Sequence, residues 1–270
     1  MNDHKNRVAD IFDRAAPQYG KKSCCFFNYF GKRLVELANV TANQNVLDVA
    51  TGKGAVLFPL AQAVGPPGKV VGIDISKEML KETVKEAKER NIDWADLQHM
   101  DAEHLSFPDN CFDFVFCGFA LFFFPSLPLA LSEFKRVLKP GGKLAVSTWG
   151  KKSELNAWIC AETKKFSPKN SLAATPLWSE DELQIALNAA SFGNIQIFEE
   201  SKVFLHNTPE EWWDSLWAHG TRAVLELLSS DQKTRLREKA INKAKDYDKG
   251  HGVVEELQVF YGIAQKKEKI

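Results

Sequence analysis

The chain has 270 residues, in which 35 Lys and Arg balance 35 Asp and Glu. That neutrality removes any overall electrostatic case for a nucleic-acid partner, and the length allows one α/β domain, or one with a sizeable insertion. The longest apolar run, residues 114–125, is broken by Gly118 and too short to span a bilayer. The first residues are polar and charged rather than a secretory leader, and five cysteines without disulfide-type spacing suit reduced thiols. A cytoplasmic monomer or homodimer is expected, with the vicinal Cys24-Cys25 incidental and no metal site.

Residues 3–17 carry Val8, Ile11, Phe12 and Ala15 on one helical stripe. Pro17 ends the pattern, and Gln18-Tyr19-Gly20 reads as a turn. Phe26, Phe27, Tyr29 and Phe30 lead a second helix to about residue 40. So aromatic a segment before the first strand reads as a helical lid over residues 1–40, with Tyr19 and Phe27 as candidate ligand contacts. Val46-Leu47-Asp48-Val49-Ala50-Thr51-Gly52-Lys53-Gly54 then reads as a buried strand entering a glycine turn, followed by a helix over 55–64. Gly52 and Gly54 let the backbone turn sharply and approach a ligand. Asp48 is the odd member, because a buried carboxylate is costly unless something binds it.

A second strand over 68–74 ends in Asp74, and Ser76 caps a helix over 77–90. A third, over 95–99, leads to Asp101-Ala102, and a fourth, over 112–117, to Cys117-Gly118-Phe119. A helix over 126–138 is stopped by Lys139-Pro140-Gly141-Gly142 before a fifth strand, 143–149. This alternation predicts a parallel, doubly wound sheet over residues 41–150, with ligand groups at the strand carboxyl ends.

Beyond Trp149, helices are expected over 153–166 and 179–190, separated by a loop at 167–175, with a sixth strand at 194–198. Thr208-Pro209-Glu210-Glu211 is a capping box opening a helix that carries Trp212, Trp213, Leu216, Trp217 and His219. Another helix over 229–245 precedes a seventh strand at 257–264. Residues 205–250 thus read as a helical cap inserted between strands 6 and 7 of a single domain, 1–270. Trp213, Leu216, Trp217 and Gly220 share one face by helical spacing. With Phe119, Phe122, Phe123 and Phe124 they predict an apolar acceptor pocket.

Glycine turns after a first strand serve dinucleotides and S-adenosylmethionine alike. Here Leu57 stands where a dinucleotide fingerprint wants its third glycine. Asp48, Asp74 and Asp101 at three successive strand ends would repel a pyrophosphate. They suit a ligand with a ribose diol, an ammonium and a sulfonium. The set VLDVATGKG, VVGIDIS, MDAEHLSFPDNCFDFVFCGFALFF and LKPGGKLAVSTW resembles the class I S-adenosylmethionine-dependent methyltransferases, most of all the ubiquinone/menaquinone-type and small-molecule tailoring enzymes. The resemblance covers residues 8–150.

That resemblance implies a Rossmann-like seven-stranded sheet of order 3-2-1-4-5-7-6 with the last strand antiparallel. It implies that Asp48, Ala50, Thr51, Gly52 and Gly54 hold the methionine end of S-adenosyl-L-methionine and Asp74 the ribose. Ile75 and Met79 would pack on adenine, Asp101 and Ala102 would read its edge, and Cys117 and Gly118 would lie under the sulfonium. Ala50 departs from the family's usual glycine. The implied activity is methyl transfer to an oxygen or carbon of a small aromatic molecule of quinol, phenol or polyketide type. Phe27, Phe119, Phe122, Trp213, Trp217 and His219 are the candidate acceptor contacts. If the acceptor must lose a proton, His206 and His219 are weak candidate bases, with His104 a solvent-facing third. The alternatives are a non-catalytic S-adenosylmethionine sensor or assembly protein, and a dinucleotide-dependent oxidoreductase.

Overall fold

The computed structural model describes residues 3–20, 26–166 and 179–268; Cys24-Cys25 and the loop at 167–175 lie outside the described residues. Seven strands form one sheet in the order β3-β2-β1-β4-β5-β7-β6. They are β1 (Asn45–Val49), β2 (Lys69–Asp74), β3 (Ala95–His99), β4 (Phe112–Gly118), β5 (Leu138–Trp149), β6 (Phe192–His206) and β7 (Val253–Lys266). β7 runs antiparallel to both neighbours, β5 and β6, as expected.

The period-two alternation of each strand divides its side chains between two apolar layers. Val46, Phe114 and Phe116 face α2 (Phe26–Ala38) and α3 (Leu57–Val64), whereas Leu47, Val115 and Cys117 face α5 (Leu127–Val137) and α7 (Glu180–Ala189). Ser76 caps α4 (Lys77–Glu89), its Oγ accepting from Met79 N at 3.1 Å. Ser179 and Ser229 form complete capping boxes at α7 and at α10 (Ser230–Lys245). At Thr208 only half of the box forms, because Glu211 turns to Asn207 N instead.

Several sequence-based expectations change. The stop at residues 139–142 is a bulge inside β5, where Phe112 pairs Leu138 but Phe114 already pairs Lys143. Gly141, at φ 78°, supplies the left-handed backbone that the bulge needs. β6 and β7 far outrun the expected 194–198 and 257–264, pairing as far as His206 with Val253. Their charged stretches, such as Glu199-Glu200-Ser201-Lys202, hide the strand period because one face of this long ribbon meets water.

The aromatic helix breaks. α8 (Pro209–Ser215) passes into a 3-10 turn over Leu216–Ala218, followed by the short α9 (Arg222–Leu225). With α6 (Glu154–Lys164) and α10 these pieces build a third apolar core around Leu155, Ile159, Trp212, Trp213, Leu225 and Leu236. The cap is therefore drawn from two stretches of chain. Its tryptophans cover a core of their own, which the residue spacing of 205–250 alone did not reveal.

Candidate functional site

One cavity runs along the carboxyl edge of the sheet. Its floor at one end is Ala50, Gly52, Asp74, Ile75, Met79, Asp101 and Ala102, and at the other Gly118, Phe119 and Trp149. The backbone at Ala50, Gly52 and Gly54 is left-handed, with φ 55°, 53° and 79°. A Cβ on Gly54 would sit 2.5 Å from the Phe58 ring, so that glycine fits the turn onto α3. A Cβ on Gly52 would find only Tyr19 Cε1, at 3.9 Å, so that glycine faces open space.

Asp74 anchors this end. Its Oδ2 accepts from Gly52 N and its Oδ1 from Ser76 N, both at 2.8 Å. A carboxylate accepts about four hydrogen bonds, so the group keeps capacity for a ligand. Asp48 stands differently: it is buried under the turn, accepts from Thr51 Oγ1 at 2.6 Å, and is absent from the cavity wall with Thr51, Gly54 and Cys117. These four shape the floor from below. Burial, chiefly, pushes Asp48 up to about 7 and Asp74 to about 6.

Asp101 carries a partner that the sequence did not suggest. Lys5 Nζ lies 2.6 Å from Asp101 Oδ2 and 2.5 Å from Glu103 Oε2. Burial works to lower the Lys5 ammonium, but its hydrogen bonds to Asp101 and Glu103 outweigh that and raise it. Lys5 belongs to α1 (Asp3–Ala15), which crosses the cavity with Val8 and Phe12 on its wall. Asp13 of the same helix accepts from Ser76 Oγ at 2.6 Å, and Arg14 pairs Glu226 of the cap at 2.7 Å. α1 is thus strapped to the sheet side and to the cap. A signal existed in the sequence, since Lys5 falls on the stripe of Val8 and Phe12.

The other end is an aromatic chamber. Tyr19 and Phe27 stack at 5.1 Å, and Phe119 lies 4.3 Å from Trp149 between ring centroids. Phe122, Trp212, Leu216, His219 and Glu255 complete much of its wall. Trp213 and Trp217, expected here, are elsewhere. Trp213 is buried in the cap core, and Trp217 packs half-buried against that core, under Arg222 and Lys233. The cavity meets the neighbouring face of the segment, Trp212, Ser215, Leu216 and His219, about 100° round from Trp213. Trp212 takes the place on the wall.

Of the candidate bases, His104 and His206 are off the wall and His219 is on it. Burial pushes the His219 imidazole down to about 4, which keeps it neutral and a weak base at neutral pH. Trp149, Trp212, Asn156 and Glu255 are wall residues that the sequence reading did not single out.

The methyltransferase domain family matches residues 40–204. The chain belongs to the class I S-adenosylmethionine-dependent methyltransferases. It is 30% identical over 240 residues to the nocamycin O-methyltransferase of Saccharothrix syringae, covering 83% of this chain and 85% of that one. The demethylmenaquinone methyltransferase of Listeria welshimeri is 37% identical over 145 residues, 52% of this chain and 61% of its own. The YcgJ protein of Bacillus subtilis shares the fold at a TM-score of 0.63 and 19% identity, covering 89% of this chain and 100% of that one. Family membership sets the dinucleotide reading aside.

The wall fits the methyltransferase's cofactor. A buried carboxyl group with spare lone pairs suits a ribose diol, and the left-handed turn leaves room beside Gly52. When bound, S-adenosylmethionine supplies an already activated methyl group.

Two predictions arise here. A left-handed non-glycine residue costs about 1–2 kcal/mol, of which the freer unfolded glycine chain returns about 0.4–1 kcal/mol. Ala50→Gly is therefore expected to stabilise the methyltransferase by roughly 0.5–1 kcal/mol, read as a higher denaturant midpoint at unchanged slope.

The second concerns pH. Asp48 and Asp74 retain protons in the folded cofactor-free state well above their ordinary value of 3.8. The folded chain then binds more protons than the unfolded one between about pH 4 and 7, so stability falls as pH rises through that window. Thermal melts of the cofactor-free protein should show a lower midpoint at pH 7.5 than at pH 5. Asp48→Asn should remove the larger part of that slope; an unchanged slope would contradict the assignment.

Proposed function

We propose that this methyltransferase transfers a methyl group from S-adenosylmethionine to an oxygen or carbon of a small, flat, largely apolar molecule of quinol, phenol or polyketide-like type, acting in the cytoplasm as a monomer or homodimer without a nucleic-acid partner. The observation that carries the reading is one continuous cavity, with buried Asp74 and half-buried Asp101 at one end and the Phe27, Phe119 and Trp149 chamber at the other. The relatives' names agree with it, one an O-methyltransferase and one a demethylmenaquinone methyltransferase. Among the described residues, no helix is long and apolar enough to cross a membrane.

In this reading residues 1–40 cover the site, 41–150 hold the cofactor and 205–250 close over the acceptor. Asp74 would hold the ribose, and Ile75, Met79 and Ala102 would enclose the adenine. Tyr19, Ala50, Gly52 and Gly118 would line the path toward the methyl group. Phe27, Phe119, Phe122 and Trp212 would exclude water and fix the plane of the acceptor, which is most of what an in-line displacement needs. Burial, which pushes the His219 imidazole down to about 4, leaves it neutral and a poor proton acceptor. The acceptor oxygen or carbon that suits the site is one that ionises by itself, as a carboxylic acid, an acidic enol or an activated phenol does.

Incubation with S-adenosylmethionine and a panel of hydroxylated naphthoquinols, phenols and anthraquinone carboxylic acids tests this. A product heavier by one methyl group, with S-adenosylhomocysteine in equal amount, is the expected result. Tight cofactor binding with no methylated product across the panel would favour a sensor.

A further inference from the structure

The methyl-transfer reading gives no task to a buried polar cluster at the far end of the acceptor chamber. Glu255 stands on β7 with Val253 and Leu257, on the strand face that turns inward, and its side chain is 5% exposed. Its Oε2 accepts from His206 Nε2 at 3.0 Å, and its Oε1 from Asn156 Nδ2 at 2.6 Å and Ser153 Oγ at 3.4 Å. The end of β6 and the start of α6 thus converge on one carboxyl group, which also forms part of the cavity wall. Such a group accepts about four hydrogen bonds, and three are in use. Burying it on a wall shared with Trp212 and Leu216 is costly, and tying β7 to α6 alone would be served as well by apolar side chains.

We propose that Glu255, held by His206 and Asn156, is an acceptor anchor that takes a hydrogen bond from a hydroxyl or amino group remote from the methylated atom. The inference rests on the methyl-transfer reading and sharpens its substrate. The register gives a length. Gly118 pairs Ser147, and Ser147 pairs Tyr261 of β7, six residues from Glu255. Six residues of strand span about 20 Å; the Glu255 side chain at one end and the cofactor's sulfonium and methyl over Gly118 at the other would shorten that to roughly 10 Å of open chamber. An acceptor of two or three fused rings bridges it, with the methylated position on one terminal ring and the donor on the other. A single phenol does not reach.

The test uses two probes, an anthraquinone with one hydroxyl group on a terminal ring and its analogue with a second hydroxyl on the opposite terminal ring. Each is titrated by tryptophan fluorescence in saturating S-adenosylhomocysteine. The doubly hydroxylated probe is expected to bind the unaltered protein at least about tenfold tighter, the size of one hydrogen bond to a charged group. In Glu255→Gln the ratio should fall to within about threefold. Glu255→Asp keeps the carboxyl group but withdraws it by one methylene, and gives the same loss if Glu255→Gln does not fold. Equal binding of the two probes by the unaltered protein overturns the anchor, as does a preference that survives both substitutions. Absence of S-adenosylmethionine binding by calorimetry would instead remove the methyl-transfer reading, and the anchor with it.

Discussion

Asp74→Asn is expected to raise the dissociation constant for S-adenosylmethionine by about 100-fold or more. Hydrogen bonds to a charged acceptor contribute about 1.5–3 kcal/mol each, and a ribose diol would make two of them to this carboxyl group. The substitution also harms the turn. Both Asp74 oxygens accept a backbone N–H, from Gly52 and Ser76, so an asparagine must set its NH2 against one of these donors. An orphaned buried N–H costs about 1–3 kcal/mol, and the melting temperature should fall as well. Calorimetric titration decides the first effect: a dissociation constant within threefold of the unaltered protein would remove Asp74 from the cofactor's contacts.

Trp212→Ala should have the largest effect in the cap. Trp212 is fully buried, and truncating a core aromatic of this kind costs about 3–5 kcal/mol. Because the cap core contains none of the cofactor turn, S-adenosylmethionine affinity should stay within about twofold while acceptor affinity is lost. Trp217→Ala provides the contrast. That side chain is half-buried on the cap's outer side, so a loss of about 1–2 kcal/mol is expected, with acceptor affinity unchanged. Paired denaturation and acceptor-binding curves for the two variants check this. Loss of acceptor binding in Trp217→Ala rather than Trp212→Ala would return the pocket to the face suggested by uninterrupted helical spacing.

These two positions mark how far the chain could be read without coordinates. Local pattern was sufficient wherever a residue's role depends on its own strand or turn. Apolar alternation placed β1 to β4 to within a residue or two, and carboxylates at strand ends marked Asp74 and Asp101, both on the cavity wall. Ala50 was already visible as a departure, and its left-handed backbone gives that departure a physical cost. Asp48 was legible as an odd buried carboxylate; that it braces Thr51 from beneath depends on a three-dimensional bend.

What the sequence determined by itself was the sheet, the turn and, through them, the family. Such features arise from contacts between near neighbours and from the two-residue period of strands. Only the tertiary structure decided which groups face each other across the cavity. The Lys5 clasp on Asp101 spans 96 residues and the His206 contact with Glu255 spans 49. Trp212 stands on the wall in place of Trp213 because packing of the cap turns that face of α8 to the cavity, and adjacent helical residues point about 100° apart. A charged residue on an apolar stripe, as Lys5 and Glu255 both are, is the sequence's only mark of such pairings. Where its partner stands is set by packing between elements, which no local period encodes.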